Sequence, residues 1–377
     1  DFSDSPLVRP LLDIPLRLRA QSLTYLTNYF MTLSDRAPLV ALLEDLHWAD
    51  DSSLDSLPGL VETLQGQALL IIGASRPDLY ARRPGWLENY AWHDRIDLDL
   101  LNPASSIDLV NEVLQRVDRV PESLRALLVQ RAEGNPFYLE ELVKMFIEEG
   151  VIVKDDIAWR VLPEKLATTT IPPTLTGVLQ ARLDALRAPE KSALQRASVV
   201  GRLFWDSAVE YLDDEATESL AMPNLPALWD DLSTREFVYR RDEAAFENTR
   251  EYVFMHAMLR DVTYETVLHR LRRRYHERTA EWLIATSGPR ADEYADLIAA
   301  HFAQAGNAAG EATWQARAGK KAAARYAHAE ALHAFARALE LTPPENLAER
   351  FDLLMQREAI YNLQGDREQQ VADLAAL

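Results

Sequence analysis

Charged side chains follow two apolar segments of the sequence, at the points where these segments end. Glu44 and Asp45 come directly after the apolar run Leu39–Leu43, and Arg76 comes shortly after a second run, Ala68–Gly73. A carboxylate at the end of a buried strand can hold a magnesium ion through water, and its neighbour can orient or deprotonate an attacking water. A nearby cation can reach a terminal phosphate. The pattern predicts one side of a site for a magnesium-bound nucleoside triphosphate.

Each of these residues also has a purely structural interpretation. Glu44 and Asp45 can be solvated acids at a strand exit, and Arg76 can be an ordinary surface cation at the turn before Pro77. Taken singly, the structural interpretations are favoured. The apolar run before the acids, the segment HWAD after them and the second strand together shift the balance toward a functional site.

Two residues farther along the chain are candidates for nucleotide contacts. Pro136, in Gly134-Asn135-Pro136, lies between two expected helices, and its ring can pack on an adenine face. His256 lies where an expected strand enters a helix, and a histidine at a helix start can donate to a phosphate. The alternatives are a simple helix break for Pro136 and a histidine packed at a domain junction for His256.

The sequence contains no phosphate-binding loop of the form GxxxxGK[ST]. ATP or ADP with magnesium would need such a loop to wrap the phosphates. We therefore expect the loop to lie upstream of Asp1 in a longer polypeptide, and we expect the chain as given to bind ATP weakly or not at all.

Composition excludes several classes of protein. The 377 residues include no cysteine, so disulfides and thiolate chemistry are excluded, and a cytoplasmic location is compatible with this. No apolar run approaches the about 20 residues that span a bilayer, so we expect no membrane partner. The formal net charge of −19 argues against nucleic acid as the main partner, because such binding needs lysine and arginine to neutralise phosphates.

The expected fold is mixed and mostly α, and it begins with part of an α/β core. Leu39–Leu43 and Ala68–Gly73 are separated by enough residues for a helical crossover, which predicts two parallel strands. Asp51 or Ser52 is expected to cap the crossover helix, and Pro58 to kink or break it. The alternating segment 95–101 (RIDLDLL) is expected to form an edge strand.

The remainder of the chain is predicted to be helical, with two hairpins. We expect the C-terminal half of a nucleotide-binding core at residues 1–101, a helical lid at 102–170, a helical and winged-helix domain at 171–285, and the start of tetratricopeptide-like repeats at 286–377. The winged-helix interpretation depends on strands expected at 237–240 and 251–255. The repeat interpretation depends on Gly319, Ala331, Phe335, Ala338 and Pro343, which match positions of an approximately 34-residue repeat.

These segments together resemble the STAND class of signal-transducing ATPases, in particular the bacterial branch that carries an adenylate/guanylate cyclase, LuxR-type or protein-kinase effector. LLEDLHWADDSSL resembles its Walker B strand, IIGASRPDL its sensor strand and EGNPFYLEELV its GxP segment. IPPTLTGVLQARLDAL and FMHAMLRDVTYETVLHRLRRRYHERTAEWL resemble its helical and winged-helix regions.

The resemblance implies a role for each candidate residue. Glu44 would associate with magnesium, Asp45 would lie nearest the attacking water, and Arg76 would be the sensor. Pro136 would contact adenine, and His256 would contact the β-phosphate of ADP and hold a closed state. An inducer, either a protein or a small molecule, would bind the repeats, an effector domain would lie in the same polypeptide, and activation would involve a homo-oligomer.

Two other functions remain open. One is a protein-interaction scaffold in which the ATPase core is degenerate and only the repeats are active. The other is a DNA-binding regulator that acts through the winged region. Asp230, Asp231 and Glu236 outnumber Arg235 in the expected recognition helix, which is the wrong sign for phosphate contacts. The basic cluster Arg270, Arg272, Arg273 and Arg274 is expected to be a solvated helix face.

Overall fold

The computed structural model describes residues 15–155, 158–213 and 225–376. These residues pack into two compact units. One draws on the chain up to Asp97 and on the chain from Ala316 onward, and the other spans Leu98–Gln315. In the described residues, no helix is both long enough and apolar enough to cross a membrane.

The first part of the chain is an α/β segment. Its elements, in order, are α1 (Pro15–Ser34), β1 (Leu39–Leu43), α2 (Asp51–Thr63), β2 (Leu69–Gly73) and α3 (Asp78–Arg82). The strands β1 and β2 pair in parallel, with Leu39 opposite Leu69 and Leu43 opposite Gly73. The predicted strand–helix–strand unit is therefore confirmed. Both strands end at the same edge, which is the arrangement that the candidate site requires.

The crossover helix α2 differs from the prediction in two ways. Asp50, not Asp51 or Ser52, is the cap, and its side chain accepts hydrogen bonds from the backbone N–H and the hydroxyl of Ser53. Pro58 lies inside one continuous helix, so the expected break is wrong. The helix continues because Leu54, Leu60 and Leu64 are buried along it, and this packing outweighs the backbone hydrogen bond that a proline removes.

One face of the two-stranded sheet is bare. The side chains of Val40 and Leu42 in β1, and of Leu70 and Ile72 in β2, are between 45 % and 60 % exposed. Parallel sheets are ordinarily covered on both faces.

The third strand predicted at residues 95–101 is wrong, since these residues, all within the described chain, form no strand.

The C-terminal end of the segment 95–101 is held by a backbone hydrogen bond to the turn between two later helices. The backbone N–H of Leu101 donates to the carbonyl of Gly134 over 2.8 Å, so this part of the chain is fixed by the junction between two helices. Gly134 has a φ of 81°. A Cβ on it would lie 2.4 Å from the carbonyl oxygen of Leu101, so only glycine fits there.

A helical region follows, with a core that includes Leu114, Leu128, Leu142 and Phe146. The side chain of Asn102 caps its first helix by accepting a hydrogen bond from the backbone N–H of Ser105. The predicted hairpin forms, although part of its turn at Asp155-Asp156 lies outside the described residues. The elements are α4 (Pro103–Val113), α5 (Glu122–Ala132), α6 (Pro136–Glu148), β3 (Ile152–Val153), β4 (Arg160–Val161) and α7 (Pro163–Thr168).

The next region contains a three-stranded antiparallel sheet surrounded by helices. Its elements are α8 (Leu175–Asp184), α9 (Ala188–Val200), β5 (Leu203–Trp205), α10 (Asp206–Tyr211), α11 (Leu225–Thr234), β6 (Val238–Arg240), β7 (Glu251–Phe254), α12 (Ala257–Glu265) and α13 (His269–Ser287). The strand order is β5-β7-β6. Phe204, Trp229 and Tyr252 pack their rings together in its core. Both strands predicted from the sequence in this region are present.

The last region is helical, and it follows a 3-10 turn at Gly288–Tyr294. Its helices are α14 (Ala295–Ala305), α15 (Ala308–Ala324), α16 (His328–Leu341), α17 (Leu347–Gln364) and α18 (Arg367–Ala376). Gly319 of α15 lies against the ring of Phe335 in α16, so close that a Cβ would be 2.6 Å from the ring. This contact joins the small-residue and aromatic positions from which the repeat was predicted.

Candidate functional site

The ends of β1 and β2 are joined by two backbone hydrogen bonds. The N–H of Ala74 donates to the carbonyl of Leu43 over 2.8 Å, and the N–H of Leu46 donates to the carbonyl of Ala74 over 3.0 Å. The chain leaving β1 therefore folds over the end of β2. The turns that carry Glu44 and Asp45 on one strand and Arg76 on the other lie side by side, as the sequence predicted.

Asp45 has an unusual backbone conformation. Its φ of 55° and ψ of 36° lie in the left-handed region, which non-glycine residues seldom adopt. The 3-10 turn Leu46–Trp48 begins directly after it. Backbone strain of this kind clusters at functional sites, where the surrounding structure enforces it. Here the two backbone bonds between the strand ends supply that enforcement, and the turn leaves Glu44 exposed and Asp45 partly exposed.

Gly73 permits the close approach of the two turns. A Cβ at this position would lie 2.7 Å from Cδ1 of Leu46. Carbon atoms do not approach so closely, so any side chain at residue 73 would force the side chain of Leu46 to move from its place against β2. This role of Gly73 was not predicted, although a glycine at the last position of an apolar strand indicates a close approach of another part of the chain.

His47 is a second residue of this site that was not predicted from the sequence. Its Nδ1 accepts a hydrogen bond from the backbone N–H of Arg76 over 3.4 Å. Its ring also contacts the ring of Trp48, with the centroids 5.1 Å apart. The indole of Trp48 is 75 % exposed. Arg82 of α3 donates to the carbonyl of Ala49 over 2.7 Å, so α3 also holds the turn in place.

Pro136 and His256 belong to the other unit. Asn135 caps α6 by accepting from the N–H of Tyr138, and Pro136 is the first residue of that helix, with an exposed ring. His256 precedes α12 at the cap position. The ring of Phe137 lies against the ring of His256, with the centroids 4.1 Å apart. The two candidate nucleotide-contact residues are thus brought close together through Phe137.

Charged groups surround His256. Burial lowers the pKa of its imidazole, the positive charges of Lys144 and Arg182 lower it further, and the carboxylates of Glu141 and Glu236 oppose this. The neutral imidazole is therefore favoured in the free protein. A phosphate at this position would favour the protonated form instead.

A buried ion-pair network lies behind His256. Arg182 of α8 and Glu141 of α6 are both 1 % exposed and form a short ion pair. Arg182 also binds Glu148 over 2.8 Å and the carbonyl of Arg235 over 2.9 Å. No local sequence pattern predicts this network, because its members come from three separate helical segments. It fastens α6 and α8 to the turn between α11 and β6.

Lys144 extends this network to the surface. Its ammonium binds Glu141 over 3.0 Å and Glu236 over 2.7 Å. Burial lowers the pKa of Lys144, but the carboxylates of Glu141 and Glu236 raise it above its ordinary value. Lys144 is therefore positively charged at neutral pH and already neutralised by two acids.

The predicted solvated face of α13 is partly wrong. Arg272 is 9 % exposed. Its guanidinium donates to the carbonyl of Val267 over 2.7 Å and binds the carboxylate of Glu265 over 2.9 Å. Arg273 donates to the carbonyl of Ala305 over 2.9 Å. Arg272 holds the junction of α12 and α13 because a buried guanidinium needs several acceptors, whereas Arg273 is exposed, as predicted.

The donor set for a metal is limited. Over the described ranges of the chain, no group of three or more histidine, aspartate or glutamate side chains is arranged to hold a metal ion.

Comparisons with known proteins gave matches among solved structures. No family model matches the chain, and no curated protein matches it. A solved structure that resembles it is that of a signal transduction ATPase with numerous domains (STAND) from Pyrococcus horikoshii, a protein with a tetratricopeptide repeat sensor. The TM-score is 0.47 and the sequence identity 13 %, over 94 % of this chain and 50 % of that one. The chain spans about half the length of that protein.

Proposed function

We propose that the chain forms part of the nucleotide switch of a multidomain signalling ATPase of the STAND class. The observation that carries this proposal is the convergence of the ends of β1 and β2, which sets the acids Glu44 and Asp45 beside the turn of Arg76. Paired carboxylates and a cation at adjacent ends of parallel strands suit a magnesium-bound triphosphate.

Each residue of this edge has a role in the proposal. Glu44 would hold magnesium through water, Asp45 would orient the attacking water, and Arg76 would detect the terminal phosphate. The bound magnesium would neutralise part of the negative charge of the phosphates. The αL conformation of Asp45 supports its role, because a strained residue that packing enforces holds its side chain in a fixed direction.

The phosphate-binding loop is proposed to lie in a part of the polypeptide outside residues 1–377. The bare face of the sheet, formed by Val40, Leu42, Leu70 and Ile72, supports this, because both faces of a parallel sheet need a cover. A preceding strand and helix that carry the loop would provide such a cover.

Pro136 and His256 are proposed to contact the adenine and the β-phosphate of bound ADP. The packing of Phe137 on His256 supports the idea that these positions act together. The helix–strand–helix–helix–strand–strand order from α9 to β7 suits a winged-helix domain. ADP would hold this region closed, and exchange for ATP would release it for assembly into a homo-oligomer. We keep the cyclase, LuxR-type and kinase classes as candidates for the effector.

An interaction scaffold is the second candidate function. Exposed apolar residues on the last two helices favour it: Leu347 and Phe351 on α17, and Val371 and Leu374 on α18. In the switch model, the same surface would receive a protein or small-molecule inducer. A DNA-binding function is weaker, since α11 carries Asp230 and Asp231 and no basic residue.

The proposal is tested with the full-length gene product that contains this chain. We expect a GxxxxGK[ST] loop upstream and slow ATP hydrolysis by the purified protein. Asp45→Asn should reduce hydrolysis by about 100-fold or more while ATP binding is retained, since an amide cannot accept the proton of the attacking water.

The matched control is Glu62→Gln, which also removes one exposed carboxylate from the α/β segment. This variant should hydrolyse ATP like the wild type. A gene product with no phosphate loop and no ATP binding would overturn the switch and favour the scaffold. Salt-sensitive binding of duplex DNA by the 377-residue chain, which excludes any effector domain, would instead favour the DNA-binding function.

A further inference from the structure

We infer that His47 is a positioning residue that couples the acids after β1 to Arg76 after β2. The effect expected on ATP hydrolysis rests on the proposed function, whereas the contact between His47 and Arg76 does not depend on it. His47 is separated from Arg76 by a whole crossover helix and a strand, and yet its Nδ1 accepts from the Arg76 backbone N–H.

This hydrogen bond fixes the tautomer of the imidazole. A ring nitrogen that accepts a hydrogen bond carries no proton, so a neutral His47 has its proton on Nε2. The contact is therefore specific for one form of the side chain.

The other ring nitrogen strengthens the assignment. Nε2 of His47 is buried and has no hydrogen-bond partner among the residues that the structure describes. A buried N–H without an acceptor costs roughly 1–3 kcal/mol. A phenylalanine or leucine would fill the space without this cost. The histidine is thus explained by what Nδ1 does, which is to hold the turn of Arg76.

The turn of Arg76 depends on few other contacts. The carbonyl of Arg76 accepts from the hydroxyl of Ser75 over 2.9 Å and from the N–H of Leu79 over 3.2 Å. Pro77, the next residue, has no N–H to contribute. The bond from Arg76 N–H to His47 therefore ties this turn to the turn that follows Asp45, so that the cation and the acids move together.

Three substitutions separate this role from ring packing. His47→Asn retains an acceptor near the position of Nδ1. His47→Gln places its amide near the position of Nε2 instead. His47→Phe keeps the ring and removes both nitrogens. If His47 positions Arg76, Asn should preserve function, whereas Gln and Phe should lose it. If the ring only fills space, Phe should be the best tolerated.

The first measurement uses the 377-residue chain and needs no nucleotide. Hydrogen exchange at the Arg76 amide should be slow in the wild type and in His47→Asn, and at least about tenfold faster in His47→Gln and His47→Phe. His93→Phe, which removes another half-buried histidine of the α/β segment, should leave that exchange unchanged. Equal exchange at the Arg76 amide in the wild type and the three His47 variants would overturn the inference.

The second measurement uses the full-length gene product. ATP affinity should stay within about twofold of the wild type, while hydrolysis falls about tenfold or more in His47→Phe and recovers in His47→Asn. A wild type that does not hydrolyse ATP would refute the proposed function but leave the exchange result standing. A wild type that hydrolyses ATP together with a fully active His47→Phe would refute the role of His47 alone.

Discussion

At the scale of single residues, Gly73 allows the turn after Asp45 to pack closely on the end of β2. Leu46 occupies the space that a Cβ on Gly73 would need. Gly73→Ala should therefore destabilise the α/β segment by about 1–3 kcal/mol through overpacking. The substitution should also shift Asp45, and so lower hydrolysis in the full-length protein. Chemical denaturation of the 377-residue chain measures the first effect.

The control for this variant is another glycine in the same segment. Gly59 lies inside α2, and a Cβ on it would meet nothing within 4 Å. Gly59→Ala should be neutral or stabilising by up to about 1 kcal/mol, because alanine favours a helix over glycine. If both variants destabilised the protein equally, the close approach of Leu46 would not be the cause.

Some residues of the candidate site could be predicted from the sequence and others could not. Glu44, Asp45 and Arg76 follow apolar strands, and parallel pairing brings strand ends together without further information. His47 and Gly73 escaped prediction because their roles depend on contacts with residues distant in sequence. The buried pair of Arg182 and Glu141 escaped for the same reason, since a charged residue on a helix is ordinarily solvated.

At the scale of elements, apolar runs and glycine or proline breaks predicted most strands and helices. The run Leu39–Leu43 became β1, and Gly134-Asn135-Pro136 separated α5 from α6. Local patterns failed where tertiary contacts decide. Pro58 is tolerated inside α2 because the helix is packed on one side. The alternating segment 95–101 lacks a neighbouring strand, and alternation alone does not form a sheet.

A buried histidine pair joins α13 to α14. Nδ1 of His276 and Nδ1 of His301 are 2.9 Å apart, and Nε2 of His276 is 2.9 Å from the hydroxyl of Tyr264. His301 also makes a hydrogen bond with the backbone of Val200. Two Nδ1 atoms can share only one proton in a hydrogen bond, so one of them must accept, and the two imidazoles cannot both be protonated while this contact exists.

The pair should make the stability of the protein depend on pH. Burial and the charges of Arg260 and Arg272 together lower the pKa of His276 to about 4, and burial, with smaller effects of His276 and Arg260, lowers the pKa of His301 to about 3. The unfolded chain has ordinary histidines that take up protons below about pH 6.5. The unfolded state therefore binds more protons, and stability is lost as pH falls from about 6.5 toward 4.

Denaturant unfolding at pH 8 and pH 5 measures this effect. The free energy of unfolding should be lower at pH 5, and the difference should shrink in His301→Gln, which removes one of the two titrating groups. His269→Gln changes an exposed histidine at the start of α13 and should leave the difference as it is. A wild type and a His301→Gln variant with the same pH dependence would contradict the role of the pair.

At the scale of the whole molecule, the 377 residues contain the acids and the cation of the proposed nucleotide site but no GxxxxGK[ST] loop. The chain also carries a net charge of −19, which repels a triphosphate. The 377-residue chain should therefore bind magnesium-ATP with a Kd weaker than about 1 mM, or less than about 4 kcal/mol of binding energy. Isothermal titration calorimetry tests this, and micromolar binding would show that the chain holds phosphates by other means.

The exposed segment RIDLDL has a consequence for handling the purified chain. Ile96, Leu98 and Leu100 are between 68 % and 92 % exposed, and alternating apolar residues without a partner strand are a template for intermolecular pairing. Asp97 and Asp99 stand between them as gatekeepers, since stacked copies would bring like charges together. Neutral pH and low salt should keep the chain in solution, and concentrated salt, which screens these charges, should drive it to aggregate through this segment.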